Sequence, residues 1–153
     1  MKTETLKQIY NEFNLDKDDI FVLKFGNTKK PIITRGGIEK IMKELRIQIK
    51  YDIQKISDDH KYCVIQATGF IFPHNKAEDI VMNGQTPKPK HVMASFGEAS
   101  PQNNKSPYPI AMAEKRAKSR VVLQMSGLYS QGFMGEDESD DFKKKSHDQI
   151  ETK

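Results

Sequence analysis

The chain has 153 residues, of which 36% are apolar and 30% are charged, and its formal net charge is +4. This is the length of one domain, which can bury roughly two-thirds of the surface of the unfolded chain. A single cysteine excludes an internal disulfide framework. No stretch approaches the roughly 18 apolar residues of a membrane span, and the N-terminus lacks the apolar region of a signal peptide. We therefore expect a cytoplasmic protein without membrane contact.

The charge is unevenly distributed along the chain. Residues 135–153 hold four lysines and seven acids, a net of −3, whereas the remaining residues hold 21 basic and 14 acidic side chains, a net of +7. We predict one α+β domain over residues 1–134 and a disordered tail over residues 135–153. A basic body favours a polyanionic partner, and the tail would compete with that partner or dock a protein. On charge alone, a positive surface that only aids solubility explains the pattern as well.

The first half of the chain predicts two helices around a hairpin. Apolar side chains at helical spacing indicate a short helix over residues 3–13. Two apolar runs, 20–25 and 31–34, flank a turn near Gly26, as in a β-hairpin. A second helix follows Thr34 to Gly37 and carries an apolar stripe that begins at Ile38.

The middle of the chain predicts a long central hairpin. Apolar and polar residues alternate from Ile47 to Ile53, which indicates a strand whose polar side carries Gln48, Lys50 and Gln54. Residues 61–72 return as a second strand, and their weaker alternation suggests that it is covered on both faces. A loop spans residues 73–90, with a possible helical turn at 77–81. A third strand runs from His91 to Phe96 and ends at Gly97.

A basic helix dominates the second half of the chain. It is expected over residues 108–126, after two prolines and before Gly127. Val122 and Leu123 lie off its apolar stripe, so either the sheet or a partner subunit must cover a second side of its end. The element order α-β-β-α-β-β-β-α predicts an α+β fold with a mainly antiparallel, twisted sheet and this helix packed across it.

Four cations of this helix are the strongest candidates for a binding site: Lys115, Arg116, Lys118 and Arg120. A basic ridge of this kind suits a phosphate backbone, where each contact releases counterions. The alternative is a solvated helix face on which Glu114 and Lys118 form an i,i+4 ion pair.

Six aromatic residues could stack on bases: Tyr51, Tyr62, Phe70, Phe72, Phe96 and Tyr108. Most of them alternate like core residues, and packing is the better explanation for each. Tyr108 is the exception, because it lies between two prolines and close to Lys105. Lys50, on the polar side of the hairpin, completes the set of candidate binding residues.

Catalytic patterns are weak. His60 and Cys63 have ligand-like spacing, but they fall across a turn and a strand and lack a second pair of ligands. The acids of residues 136–141 are consecutive, whereas metal-dependent nucleases hold carboxylates on rigid elements. No glycine loop for a nucleotide is present. We therefore expect a protein that is not an enzyme and needs no cofactor or metal.

The order of features in residues 95–142 resembles that of phage and prophage single-strand annealing proteins of the Erf and Rad-type superfamily. The matching features are the loop at Gly97 and Glu98, the helix containing Ala113 to Arg120, the stop at Gly127 and the acidic run. The resemblance covers about a third of the chain closely, and upstream only the order of elements matches. The larger annealing proteins have a separate C-terminal partner-binding domain, which we expect to be missing here or reduced to residues 135–153.

The resemblance implies ATP-independent binding and annealing of single-stranded DNA in recombination or repair. DNA, or RNA in its place, would follow a groove between the hairpin and the basic helix, in a homo-oligomer inside a bacterium or phage-infected cell. Arg116 and Arg120 would contact phosphate or brace the junction of strand and helix, and Glu98 would pair with an arginine of the helix. Two alternatives remain open: a passive single-strand-binding protein whose acidic tail recruits a replication or recombination protein, and an interaction module that binds no nucleic acid.

Overall fold

The computed structural model describes residues 3–73 and 88–138. The helices are α1 (Thr3–Glu12), α2 (Arg35–Leu45) and α3 (Pro109–Met125), and the strands are β1 (Ile20–Phe25), β2 (Thr28–Ile33), β3 (Gln48–Ile56), β4 (Cys63–Ile71), β5 (His91–Ala99) and β6 (Met134–Gly135). This confirms the α+β class and the order of the eight predicted elements, and β6 is a further strand that the sequence analysis did not predict. The possible helical turn at residues 77–81 lies outside the described residues.

The strands form two sheets. The first has the order β1-β2-β6, in which β1 and β2 are the antiparallel hairpin and β6 joins β2 in parallel through Ile32 and Ile33. The second sheet has the order β3-β4-β5 and is antiparallel throughout. Its β3–β4 pair is the predicted central hairpin, and an irregularity in register lies between Ile53 and Lys55.

The β3–β4–β5 sheet has two unlike faces. On the inner face, small side chains lie under α3: Ala67, Gly69, Gly97 and Ala99. A Cβ atom on Gly97 would lie 2.1 Å from the carbonyl oxygen of Ala113 and 2.4 Å from the backbone nitrogen of Ala117, so glycine is required for the helix to lie this close.

Strand β5 pairs with β4 through Gly97 as far as Ala99, so the prediction that it ends at Gly97 is wrong.

Helix α3 lies between the two sheets. Ala113, Ala117 and Val121 are fully buried on the side that faces β4 and β5. Ser119 lies on the opposite side of the helix, about 200° around from Ala117. Gly135 of β6 packs against it so closely that a Cβ atom on Gly135 would lie 2.9 Å from the Cβ of Ser119. Val122 and Leu123 are also buried, so the chain itself covers the second side of the helix end.

The other helices close the core. Ile9 and Phe13 of the α1 region and Ile38 and Ile41 of α2 belong to the same buried cluster as α3. Thr34 caps α2, since its hydroxyl oxygen accepts a hydrogen bond from the backbone N–H of Gly37 at 3.1 Å. This arrangement places the N-terminal turn of α2 beside α3, where the candidate cations are.

Candidate nucleic-acid interface

Arg116 is part of the core. Its side chain points to the junction of β5 and the loop before α3, and only 4% of the residue is exposed. The guanidinium donates hydrogen bonds to the backbone oxygen of Glu98 at 2.8 Å and to the side-chain and backbone oxygens of Asn103 at 3.0 and 2.7 Å. Of its two expected roles, the structure supports bracing of the strand–helix junction. A phosphate could reach Arg116 only by displacing these partners.

Arg120 is half-buried and already paired. Its Nη1 donates to the backbone oxygen of Phe96 at 2.7 Å, and its guanidinium forms ion pairs with Glu98 at 3.5 Å and with Glu138. Partial burial disfavours the charged guanidinium, but the carboxylates of Glu138 and Glu98 outweigh it and raise the pKa of Arg120. The expected pairing of Glu98 with an arginine of the helix is confirmed.

The two lysines of α3 differ in their surroundings. Lys118 forms an ion pair with Glu39 of α2, so the alternative i,i+4 pair with Glu114 is not the one observed. Lys115 is exposed and forms no ion pair with the described residues. Lys115 and Lys118 line one side of a cleft of about 110 Å³ between α2 and α3, and Arg35 lines the other.

The first acids of the expected tail are part of the fold. Asp137 is 3% exposed and accepts hydrogen bonds from Nε and Nη2 of Arg35 at 2.8 and 2.5 Å. Glu136 accepts a hydrogen bond from the backbone N–H of Arg35 at 2.9 Å, and Glu138 pairs with Arg120. The domain therefore extends at least to Glu138, and the prediction of disorder from residue 135 is wrong for residues 135–138. Residues 139–153 lie outside the described part of the chain.

The remaining predicted residues lie apart from this cleft. Lys50 is exposed on the outer face of the β3–β4–β5 sheet, 3.9 Å from the carboxylate of Asp52. Lys105 and Tyr108 are exposed in the loop that leads into α3, and Tyr108 is 70% exposed. That loop borders a groove of about 460 Å³ whose other wall includes His60 and Lys61. The structure thus does not gather the seven predicted residues into one site.

The outer face of the β3–β4–β5 sheet is largely uncovered. Phe96 is 48% exposed and Val92 is 49% exposed, while Phe70 is partly exposed. Strand β4 alternates between buried and intermediate side chains from Cys63 to Phe70, so its inner face is covered as predicted and its outer face is only partly covered. The polar side of β3 is confirmed, with Gln48, Lys50 and Gln54 exposed.

One end of this outer face combines rings with cations. The rings of Phe70 and Phe72 stack with centroids 6.4 Å apart and an angle of 19°. The backbone of Lys90 lies beside this end of β4, because its N–H donates to the backbone oxygen of Ile71 at 2.7 Å. The side chains of Lys88 and Lys90 are both exposed. We define the outer patch as Val64, Gln66, Thr68, Phe70, Phe72, Val92, Ala94 and Phe96 together with Lys50, Lys88 and Lys90.

The sequence contained a signal for this patch that the prediction missed. Between Val92 and Gly97, residues of β5 are apolar or small at both parities, so hydropathy does not distinguish the two faces of this part of the strand. Residue size does, because Gly69 and Gly97 mark the parity on which a helix lies close. Phe70 and Phe96, at the opposite parity, must then point away from α3.

Groups suited to catalysis are sparse in residues 3–73 and 88–138. Within these ranges, no three histidine, cysteine, aspartate or glutamate side chains form a possible metal site. Cys63 is fully buried, and burial raises the pKa of its thiol, which keeps it protonated and unreactive. Within the same ranges, no helix is long and apolar enough to cross a membrane.

Comparison with known proteins adds no relatives. None of the family models, curated proteins or solved structures compared with the chain matches it. The resemblance to single-strand annealing proteins stays a prediction from residues 95–142, and functional inference depends on the surface described above.

Proposed function

We propose that this protein binds single-stranded DNA across the outer patch, without ATP or catalysis. The observation that carries the proposal is the contrast between the two faces of one sheet: one is filled by α3, and the other carries the exposed Phe96 and the partly exposed Phe70 and Phe72, with exposed lysines at Lys50, Lys88 and Lys90. Aromatic rings buried in the core would have indicated packing alone. Exposed rings beside cations are what proteins use to stack bases while holding a backbone.

The spacing of the rings suits an extended strand. Phe70 lies opposite Val92, and Phe96 is four residues further along β5. At 3.4 Å per residue the two phenylalanine positions are about 14 Å apart along the strand direction. Ala94 and Thr68 lie between them and are small enough to let a chain pass. Two bases that are not adjacent could therefore stack on the two rings.

Stacking also supports the annealing role that the resemblance implies. A base that packs its π-face on a phenylalanine keeps its Watson–Crick edge free for a complementary strand. Lys50, Lys88 and Lys90 would contact phosphates and give little sequence preference. RNA offers the same groups, and several copies of the protein along one strand would form a homo-oligomer. We place this activity in phage-type recombination or repair in the cytoplasm.

The test compares two phenylalanine substitutions with a matched control. Phe70→Ala/Phe96→Ala should weaken the binding of a fluorescently labelled oligo-dT about thirtyfold or more in an anisotropy titration, since two stacked bases contribute roughly 1–3 kcal/mol each. Tyr129→Ala removes an equally exposed ring outside the patch and should bind like wild type. If the double variant keeps its circular dichroism spectrum and binds as tightly as wild type, the patch is not the interface.

A second assay separates the possible roles. Added to two complementary oligonucleotides, an annealing protein accelerates duplex formation, whereas a passive coating protein slows it. Slower pairing would favour a single-strand-binding protein that recruits partners through its tail. If wild type binds no single-stranded oligonucleotide even at low salt, an interaction module without nucleic-acid binding is favoured.

A further inference from the structure

Residues 136–138, here called the acidic segment, place three consecutive carboxylates against positive groups. Glu136 accepts from the backbone N–H of Arg35, in the first turn of α2. Asp137 accepts two hydrogen bonds from the Arg35 guanidinium, and Glu138 pairs with Arg120 of α3. The segment thus connects α2 to α3, and Asp137 lies in the lining of the cleft between them. Just before the segment, Gly135 packs on Ser119.

The groups that the acidic segment contacts are those that bind phosphate. Arginine forks and backbone N–H groups at a helix N-terminus are both suited to phosphate oxygens. Lys115 and Lys118 line the same cleft, next to Arg35 and Asp137. The carboxylates therefore occupy positions that the phosphates of a nucleic-acid strand could take.

The three carboxylates differ in how firmly they are held. Asp137 is almost completely buried and acts as the anchor of the segment. Glu136 and Glu138 are only partly buried, and the side chain of Arg35 is about half exposed. Phosphates could therefore replace Glu136 and Glu138 while Asp137 stays in place.

The cleft also adjoins the outer patch. Nη1 of Arg120 donates to the backbone oxygen of Phe96, whose ring belongs to the patch. A strand that stacks on Phe96 and passes over β5, the edge of the sheet, would arrive at Arg120 and then at the cleft.

We propose that the α2–α3 cleft is a second phosphate-binding track for the same single strand, and that the acidic segment covers it as an internal competitor. This inference rests on the proposed function. Its consequence is that the protein binds more weakly than its cations allow until the DNA displaces Glu136 and Glu138. Neutralising those two carboxylates should then make the backbone N–H of Arg35 and the Glu138 side of the Arg120 guanidinium available to phosphate, beside the already exposed Lys115.

The test uses the full chain with Glu136→Gln/Glu138→Gln. Anisotropy titrations with labelled oligo-dT over a salt series should show roughly tenfold tighter binding at low salt. The slope of log affinity against log salt should steepen by about 0.7 for each phosphate recruited. Glu12→Gln/Glu44→Gln neutralises two exposed acids outside the cleft and should change affinity much less.

Lys115 provides an internal check. Lys115→Gln should weaken binding more in the Glu136→Gln/Glu138→Gln background than in wild type, because phosphates reach the cleft beside the exposed Lys115 only when the neighbouring carboxylates are neutral. If the double variant loses stability, Glu136→Gln alone leaves the Arg120–Glu138 pair intact and should still tighten binding, by a smaller factor.

Three results would overturn the proposal. One is a folded Glu136→Gln/Glu138→Gln variant, or a folded Glu136→Gln variant, with wild-type affinity and salt slope. Another is an equal gain in the Glu12→Gln/Glu44→Gln control, which would indicate only a general charge effect. In both cases wild type would still bind DNA through the outer patch. If neither wild type nor any of these variants binds, the proposed function fails together with the track.

Discussion

Helix α3 and the outer patch differ in how well the sequence indicates which side chains are available at the surface. The helix has four cations within six residues, yet Arg116 is buried and Arg120 and Lys118 are paired with carboxylates. The outer patch has no concentrated motif, and its phenylalanines look like core residues in the sequence, yet Phe96 is 48% exposed and Phe70 and Phe72 are partly exposed. Binding potential therefore depends on which groups are left unsatisfied by the fold. Local charge density alone does not reveal it.

The largest expected effect is on stability, from Arg116→Ala. The substitution leaves the backbone oxygens of Glu98 and Asn103 without their donor and opens a cavity under α3. We expect a loss of roughly 2–4 kcal/mol in the free energy of unfolding. Urea denaturation followed by circular dichroism measures it. The neighbouring Lys115→Ala should stay within about 0.5 kcal/mol of wild type, and equal effects of the two substitutions would mean that Arg116 does not brace the junction.

The next effect separates the two faces of β5. Gly97→Ala places a methyl group against backbone atoms of Ala113 and Ala117, which cannot move aside as a side chain could. The helix must shift, at a cost of roughly 1–3 kcal/mol. Ala94→Val adds more volume on the exposed face of the same strand and should be nearly neutral. Thermal unfolding of both variants is sufficient, and a neutral Gly97→Ala would contradict the close contact between β5 and α3.

A smaller effect is the pH dependence of stability that Tyr51, on the inner face of the β3–β4–β5 sheet, should cause. Burial, with help from the nearby Glu114 and Glu39, raises the pKa of Tyr51 to about 12 from its ordinary value of 10.0. The folded state therefore holds this proton more tightly than the unfolded chain. The stabilisation is complete below pH 10 and is lost as the pH rises through 12.

The measurement compares wild type with Tyr51→Phe in urea at increasing alkaline pH. Wild type should lose more stability than the variant as the pH approaches 12. Both proteins share every other tyrosine and lysine, so the difference isolates Tyr51. Parallel losses would show that its hydroxyl is as accessible to water as in the unfolded chain.

The smallest expected effect concerns a single phosphate contact. Lys50→Gln should leave stability unchanged and reduce the slope of log affinity against log salt by about 0.7, the value for one phosphate of a single strand. Lys105→Gln, which removes a lysine outside the outer patch, should leave the slope unchanged. The opposite outcome would move the interface to the loop before α3.

Much of the fold followed from the sequence. Alternation predicted β3, and proline and glycine signals predicted both ends of α3 to within a residue. Local patterns of this kind are set by residues close together in the chain. The pairing of β2 with β6 was not predictable in this way, because Ile32 and Met134 meet across about a hundred residues.

The candidate site was harder to predict for the same reason. Arg116 is hydrogen-bonded to Glu98 and Asn103, which precede the helix. Arg120 is paired with Glu138, which lies beyond the end of the helix. A helical wheel cannot show these partners. An acidic run after a domain usually indicates disorder, but Asp137 is held in the core by Arg35 from the other half of the chain.

Binding of single-stranded DNA across the outer patch is tested most directly by mapping bound oligonucleotide onto the protein residue by residue. Backbone amide NMR spectra of the ¹⁵N-labelled chain, titrated with unlabelled oligo-dT, report which amides change environment. We expect the largest shifts along β4 and β5, at Gln66, Thr68, Phe70, Val92 and Phe96, with smaller shifts at Arg35 and Lys115. Shifts confined to the loop before α3, or no shifts at low salt, would contradict it.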